Sequence, residues 1–424
     1  MTLNKKIEKN YTAILNEELK KAEGCTEPIA IAYCAAVARQ TLGENPETAE
    51  ILCSGNVLKN TKAVTVPNTD GMVGIEAAAM AGVIAGEPER ELEVLAACNA
   101  THIPLIKNAL RNTKITIHCI DNGHPLHIMI CLSCGSQSVR VCLADTHTGI
   151  YYIEKNDEVL FDKTLKNKRE SNLEYESLNI ADILRYADTI SLDKVKTVLM
   201  QEIECNEHIS FEGLKHAWGQ CVGRTMMETD GESRRIRLIA HAAAGSDARM
   251  SGCAMPVVIN SGSGNQGITV SCPVIQYARE CGLCTEKLMR ALLVSNLIAI
   301  RQKRDIGKLS AFCGAVSAAI GAVCGIAYLK NAKYAEICRI ITNSLATIGG
   351  MVCDGAKSSC AAKIAVALQS AFLASDLAEH CRGFQNGEGL VKDDIEKTIT
   401  TFGRMASEGM RFTDQKILEL MLKK

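Results

Sequence analysis

The sequence is poor in aromatic residues and nearly neutral. Phe, Trp and Tyr make up 4% of the 424 residues, and the formal net charge at pH 7 is −1. Proteins that bind single-stranded nucleic acid stack bases on aromatic side chains, and proteins that bind phosphate backbones or anionic membranes present a basic surface. We therefore expect neither nucleic acid nor a membrane as a partner.

An export signal is also missing, because the first 24 residues have a basic start but no apolar core. The most apolar stretch, 309–329, is rich in Ala and Gly and includes Ser310 and Ser317. This composition is typical of a buried helix rather than a membrane span. We expect a cytoplasmic protein, in which the twenty cysteines are core residues, metal ligands or catalytic thiols and not disulfides.

The length indicates two or three cooperating parts, because 424 residues are too many for one ordinary core. The first part mixes helices with short strands. Its helical patterns lie at 4–21, 28–42, 75–84 and 95–110, and its strand patterns at 50–53 and 63–66. A mixed N-terminal part is therefore predicted for residues 1–113.

The middle of the chain is rich in β-patterns, and the remainder is helical. The β-rich runs lie at 114–120, 126–132, 138–143 and 149–154, with a turn at 121–123. They predict an antiparallel meander in residues 114–175. Helical patterns fill 176–424, with breaks near 244–252, 260–267, 349–359 and 383–389. The predicted fold class is α+β, with a mostly helical body and a small antiparallel β-sheet in the middle of the chain.

Three cysteines in the helical part stand out. Cys353 and Cys360 flank a loop that Gly355 allows to bend, and Cys360 opens a predicted helix, whose dipole favours a thiolate. Cys313 precedes Gly314, which leaves room beside the backbone. One remote thiolate and one close pair suit a cluster with one open iron, whereas four ligands would suit a structural site better. The alternative is that Cys353 and Cys360 lie close together in the sequence by chance, since close pairs are common among twenty cysteines.

Two Cys-x-x-Cys pairs are less informative. Cys131 and Cys134 lie in a strand pattern, where positions three apart face opposite sides of the sheet. Cys281 and Cys284 lie at a break between helices, and no second pair follows at zinc-finger spacing. We interpret both pairs as structural.

A further thiol, Cys25, lies between two predicted helices. Gly24 permits a tight turn before it, and Pro28 begins the next helix. A thiol at a helix N-terminus has a lowered pKa, which suits a nucleophile or a general base. The alternative is an inert cysteine buried at a helix start.

A Gly-rich loop, 261–267, precedes another predicted helix. Its main-chain N–H groups and the side chain of Ser263 or Asn265 suit a bound carboxylate. A plain helix cap is the alternative. No Gly-x-Gly-x-x-Gly motif opens a βαβ unit, so we discount a nucleotide site.

These segments together resemble the L-cysteine desulfidase family, which is related to the iron–sulfur L-serine dehydratase alpha chain. The matching segments are 23–28, 54–56, 66–67, 261–267, 313–314 and 349–360. The resemblance implies that Cys313, Cys353 and Cys360 hold a [4Fe–4S] cluster and that Cys25 accepts a proton. It also implies a helical catalytic domain and a homodimer. Some serine dehydratase relatives end in a cysteine that reaches the fourth iron, but the last cysteine here is Cys381.

The function that the resemblance implies is α,β-elimination from a small amino acid, with L-cysteine giving pyruvate, ammonia and hydrogen sulfide. The iron would take the leaving sulfide and Cys25 the Cα proton. The candidate substrate-binding residues are Ser261, Gly262, Ser263 and Asn265. An L-serine dehydratase with the same cluster is the first alternative. A pyridoxal phosphate lyase using Lys357 and a non-enzymatic zinc-binding protein are the others.

Overall fold

The computed structural model describes residues 3–120, 123–163, 173–231, 233–307 and 309–422. The helices are α1 (Lys5–Glu18), α2 (Thr26–Leu42), α3 (Gly55–Thr61), α4 (Ile75–Ala85), α5 (His102–Asn112), α6 (Ile180–Thr189), α7 (Lys196–Lys215), α8 (Val222–Asp230), α9 (Arg234–Met250), α10 (Gly264–Glu280), α11 (Thr285–Ile306), α12 (Gly314–Leu329), α13 (Tyr334–Ile348), α14 (Cys360–Glu379), α15 (Ile395–Arg404) and α16 (Arg411–Leu422). The strands are β1 (Lys21–Glu23), β2 (Thr48–Ser54), β3 (Lys114–Ile120), β4 (His127–Cys134), β5 (Gln137–Ala144), β6 (Ile150–Lys155), β7 (Glu158–Asp162) and β8 (Pro256–Val258). The predicted α+β class is confirmed.

The helix ends follow from local capping chemistry. The side chain of Asn179 accepts from the Asp182 N–H at the start of α6, and that of Asp394 accepts from two N–H groups at the start of α15. Such side chains satisfy donors that have no partner within the helix. Helix α2 ends at Gly43, whose left-handed φ of 94° suits a residue without a β-carbon.

The larger sheet has the strand order β3-β2-β4-β5-β6-β7. Strands β4 to β7 form an antiparallel meander, in which the predicted runs at 126–132, 138–143 and 149–154 are β4, β5 and β6, and β7 is an additional strand. Strand β3 does not join it, because β2 lies between β3 and β4, parallel to β3 and antiparallel to β4. Ile51 of β2 pairs with both Ile117 and Ile130, so a buried apolar strand from the N-terminal part completes the sheet. The predicted turn at 121–123 lies partly outside the described residues.

Helix α2 packs on β4 and β5, and α4 packs on α2. The two helices approach closely because small residues face each other. A β-carbon on Gly82 of α4 would overlap the carbonyl group of Ala32 in α2. Packing this close leaves no room for an added methyl group. Helix α2 is therefore held firmly between the sheet and α4.

Helix α12 forms the centre of the helical body and packs against α10, α11, α13 and α14. Its residues from Ala315 to Ala327 are buried, in agreement with the prediction of a buried apolar helix at 309–329. Within the described ranges, α14 is the one helix long and apolar enough to cross a bilayer, and half of its apolar window is buried inside the protein.

Three local predictions are wrong. Residues 63–66 form no strand and contribute only an isolated bridge between Thr65 and Val73. The helix predicted from 95 begins at His102. Helix α9 continues through the predicted break, because Gly245 and Ser246 are buried among neighbouring helices and tertiary packing overrides their weak helix propensity. The division into residues 1–113, 114–175 and 176–424 remains a prediction.

Candidate active site

A two-stranded ribbon brings Cys25 to the loop 260–263. Strand β1 pairs antiparallel with β8, with Ala22 opposite Val257. Cys25 follows β1 and caps α2, while the loop follows β8 and leads into α10. The Thr26 hydroxyl donates to the carbonyl oxygen of Gly262 at 3.0 Å. Segments that are far apart in sequence therefore become neighbours through main-chain pairing.

A second main-chain pairing joins Cys313 to Cys353. The Cys313 N–H donates to the Met351 carbonyl at 2.8 Å, and the Cys353 N–H donates to the Ala311 carbonyl at 2.6 Å. The two thiols lie in hydrogen-bonding contact as a result. Cys360, the first residue of α14, faces the same point, and its thiol lies 3.8 Å from the Gly355 carbonyl oxygen.

Gly355 makes the turn between Cys353 and Cys360 possible. Its φ is +96°, which lies in the left-handed region. A β-carbon there would overlap the carbonyl oxygen of Lys59 and lie 3.1 Å from the carbonyl carbon. The loop therefore packs directly on α3 at a point where only glycine fits.

All the predicted site residues line one cavity of about 120 Å³. They are Cys25, Ser261, Gly262, Ser263, Asn265, Cys313, Cys353 and Cys360. Cys25 also packs against the side chains of Met250 and Cys360. The structure thus brings the three cysteines, the N-terminal thiol and the Gly-rich loop together, and their roles in ligation, proton transfer and substrate binding remain predictions.

Four helix N-termini meet at the cavity, those of α2, α10, α12 and α14. The partial positive charge of a helix N-terminus favours anions. A main-chain N–H also hydrogen-bonds each sulfur of the cysteine trio, and these groups belong to Ala315, Gly355 and Lys357. These donors favour thiolates, but burial opposes them and raises the pKa of Cys360.

The cysteines differ in how readily they lose a proton. Donation from the Cys313 thiol, with help from Lys59 and Lys363, holds the pKa of Cys353 well below its usual range, while the pKa of Cys313 rises well above it. Burial raises the pKa of Cys25 to about 12, although Arg249 opposes this effect. The predicted position of Cys25 at a helix start is found, but burial outweighs the helix effect on its pKa.

Ser261 and Ser263 are engaged in structural hydrogen bonds. The Ser261 hydroxyl donates to Oδ1 of Asn260 at 2.9 Å. The Ser263 hydroxyl accepts from the Gln266 N–H at 3.5 Å and caps α10. The plain helix cap considered for this loop is therefore present, and the loop's contribution to binding would come from its remaining polar groups.

Sequence reasoning missed several polar side chains of the cavity, namely Asn60, His147, Arg249 and Lys303. Arg249 is 3% exposed. Its Nη1 donates to Oδ1 of Asn265 at 3.2 Å, and its Nε is buried without a hydrogen-bond partner among the described residues. The sequence signal was the polar run Ser246-Asp247-Ala248-Arg249 inside an alanine-rich helix, which was interpreted as a break.

Glu27 lies in the first turn of α2, on the wall of the same cavity. Its Oε1 accepts from Asn60 Nδ2 at 3.0 Å, and its Oε2 lies 3.0 Å from Thr26 Oγ1, whose single proton is shared with the Gly262 carbonyl. Burial would raise its pKa, but His147, with Nε2 at 4.0 Å from Glu27 Oε1, and the Thr26 hydroxyl hold that pKa below its usual value. His147 comes from the turn between β5 and β6, so the sheet contributes a side chain to the site.

Among the residues that the structure describes, no three His, Cys, Asp or Glu side chains are arranged to hold a single metal ion. A [4Fe–4S] cube differs from a single ion because each cysteine binds a different iron. Three thiols, each with a main-chain N–H beside its sulfur, match in number the ligands of a cluster with one open iron, whereas a closed structural zinc site takes four ligands.

Comparison with known proteins gives one family and many relatives. The family described as Serine dehydratase alpha chain matches residues 76–419. The chain is 46% identical to a UPF0597 protein of Lachnoclostridium phytofermentans over 414 residues, which cover 98% of this chain and 99% of the relative. It is 44% identical to a UPF0597 protein of Treponema denticola over the full length of both. A UPF0597 protein of Bacteroides thetaiotaomicron is 36% identical over 98% of each chain.

Proposed function

The chain belongs to the serine dehydratase alpha chain family, and from this premise we propose that it is an iron–sulfur lyase that eliminates sulfide from L-cysteine. The net reaction converts L-cysteine and water to pyruvate, ammonia and hydrogen sulfide. The observation that supports this proposal most strongly is the meeting of Cys313, Cys353 and Cys360 with Cys25 on one cavity.

Cys313, Cys353 and Cys360 would hold a [4Fe–4S] cluster in this proposal. When bound, such a cluster supplies a Lewis-acid iron for the leaving sulfur. The surroundings suit an anionic, thiolate-held group, because helix N-termini and main-chain N–H groups face the sulfurs and Lys59 and Lys363 lie near Cys353.

Cys25 accepts the Cα proton at Sγ in the proposed reaction. Its high pKa limits the thiolate population, but a thiolate of high pKa is also a strong base. Arg249 is the cation that favours this thiolate. Burial of Cys25 also keeps water from the carbanionic centre. Loss of the leaving group then gives aminoacrylate, which tautomerises and hydrolyses to pyruvate and ammonia.

The loop of Ser261, Gly262, Ser263 and Asn265 binds the substrate carboxylate in this proposal. Its groups lie at the N-terminus of α10, where the helix dipole favours an anion. Because two of its side chains are already engaged in the fold, the loop would contribute mainly its main-chain N–H groups to the carboxylate.

L-Serine is the second candidate substrate, and the family description favours it. A hydroxyl would then leave in place of the thiol, and the remaining steps would be unchanged. The same cavity suits both side chains, since cysteine and serine differ by one atom. Comparison of kcat/KM for L-cysteine and L-serine on one anaerobic preparation distinguishes the two.

The test begins with iron and acid-labile sulfide in protein purified without oxygen. We expect both in the wild type and a loss of both in Cys353→Ala. Cys338→Ala is the matched control, because Cys338 is a half-buried cysteine of α13 outside the cavity. Cys25→Ala should keep its iron and lose turnover. A wild type that binds zinc without iron, or a Cys353→Ala variant with full iron content, would refute the proposal.

A further inference from the structure

Two buried side chains of opposite charge line the cavity without a full ionic partner. Arg249 makes one hydrogen bond among the described residues, to the neutral amide of Asn265. A β-carbon on Gly264 would overlap the Arg249 guanidinium, so glycine at that position lets the guanidinium lie against the start of α10. The side chain is thereby held at the cavity wall with its Nε unpaired.

Glu27 carries the charge opposite to that of Arg249. Its oxygens lie within hydrogen-bonding distance of a hydroxyl and an amide, and the His147 ring nitrogen Nε2 lies 4.0 Å away. The start of α2 stabilises the carboxylate in part. No lysine or arginine among the described residues pairs with it at the distance of an ion pair.

Arg249 has no counterion among the described residues, and Glu27 has only the His147 ring at ion-pair distance. Buried charges with incomplete partners are unfavourable. A ligand with one anionic and one cationic group would satisfy both. The α-carboxylate and α-ammonium of an amino acid are such a pair, and they are joined through a single carbon atom. The cavity of about 120 Å³ is also lined by the three cysteines proposed to hold the cluster, so the space left beside them suits only a small amino acid.

We infer that Arg249 binds the α-carboxylate and Glu27 the α-ammonium group of the substrate, so that the cavity selects small zwitterionic α-amino acids. This inference rests on the proposed function, because it assigns the recognition groups of the same cavity. The side chain of the substrate then has one direction left, toward the three cysteines. Three contacts around the Cα atom also discriminate between enantiomers, so the L form should be bound in preference to the D form.

The test uses two analogues of cysteine that each lack one charged group. 3-Mercaptopropionate keeps the carboxylate and the thiol, and cysteamine keeps the ammonium group and the thiol. Each is measured as an inhibitor of L-cysteine turnover by the anaerobically prepared enzyme. Binding of L-alanine, which has no leaving group, is measured by calorimetry, so recognition is followed even where no elimination occurs.

The expected result is a crossed pattern. Glu27→Gln should weaken L-cysteine and cysteamine binding by about 10- to 100-fold and leave 3-mercaptopropionate unchanged, since a charged hydrogen bond is lost in only the first two cases. Arg249→Gln should weaken L-cysteine and 3-mercaptopropionate to a similar extent and spare cysteamine. Glu18→Gln is the control, because Glu18 is a buried glutamate outside the cavity.

Iron content and melting temperature show whether each variant is folded. Arg249→Lys keeps the positive charge, so it should bind 3-mercaptopropionate more tightly than Arg249→Gln does. Uniform weakening of both analogues in both variants would overturn the inference, as would a wild type that binds no amino acid. L-Alanine binding with the expected losses in both variants, but without any elimination, would sustain the inference and refute the proposed lyase activity.

Discussion

Replacing Gly355 with alanine tests the geometry that holds Cys353 and Cys360 together. The left-handed φ of +96° costs an L-residue about 1–2 kcal/mol. The added β-carbon also overlaps the Lys59 carbonyl, and overpacking of this kind costs about 1–3 kcal/mol. We therefore expect Gly355→Ala to lower the free energy of unfolding by about 2–5 kcal/mol.

A matched glycine separates the two contributions. Gly43 has a φ of +94°, and a β-carbon there would meet nothing within 4 Å. Gly43→Ala should therefore show only the backbone part, about 1–2 kcal/mol. The difference between the two variants measures the steric overlap with α3.

The assay is urea unfolding of both variants, together with iron content after anaerobic reconstitution. The Gly355 N–H hydrogen-bonds the sulfur of Cys353, and the Gly355 carbonyl lies near that of Cys360. Displacing the loop should therefore lower the iron content of Gly355→Ala but not of Gly43→Ala. Equal stability in the two variants, with full iron in both, would refute the close packing of this loop.

Three further predictions concern buried ionisable side chains. Burial lowers the pKa of His241 to about 4 from 6.5. Between these pH values the unfolded chain binds a proton that the folded chain does not. The free energy of unfolding therefore falls by about 3 kcal/mol as the pH is lowered from 6.5 to 4. His241→Gln should abolish that loss. Burial raises the pKa of Glu202 to about 8 from 4.5. Between these pH values the folded chain keeps a proton that the unfolded chain has released. The free energy of unfolding therefore falls as the pH rises from 4.5 to 8. Glu202→Gln should flatten that slope. Arg301, 2% exposed, pairs with Asp305 and Glu396. Arg301→Met should destabilise the fold by about 3 kcal/mol, because Glu396 loses its partner while Asp305 keeps Arg304.

Urea midpoints measured across pH 4 to 8 check the two titrations. An unaltered acid-side slope in His241→Gln, or an unaltered slope above pH 4.5 in Glu202→Gln, would contradict the assignment of that window to its residue. Arg404→Met is the control for Arg301→Met, because Arg404 and Glu408 form an exposed pair that contributes little to stability. Equal midpoints for the two methionine variants would show that the buried network adds nothing.

Local patterns predicted most of the elements but not all of their partners. Alternation of side chains predicted β3 at its observed bounds, 114–120, because a strand's period is a property of its own residues. The position of β2 between β3 and β4 was missed, since several apolar strands can pair with one another and sequence periodicity does not choose among them. The edge strand β7 was also missed, because it is largely exposed and shows no alternation of burial.

The candidate site shows the same limit. Cys353 and Cys360 are neighbours because only six residues, rich in turn-forming types, lie between them, and the sequence alone shows this. His147 carried no such signal, and the polar run that contains Arg249 was interpreted as a helix break and not as part of a site. Each belongs to an element whose own pattern explains it as a helix or a turn, and each reaches the cavity only through the packing of that element.

The sequence by itself determined the α+β class, the helix and strand periods, and the short segments that place a thiol or a glycine where a helix begins. These are local properties, set by side-chain spacing and by backbone freedom within a few residues. Only the tertiary structure decided that four helix N-termini, three remote cysteines and two opposite buried charges share one cavity. Main-chain pairing of β1 with β8 and of Cys313 with Met351 produces that meeting. Pairing between segments so far apart in the chain depends on the burial of the whole core.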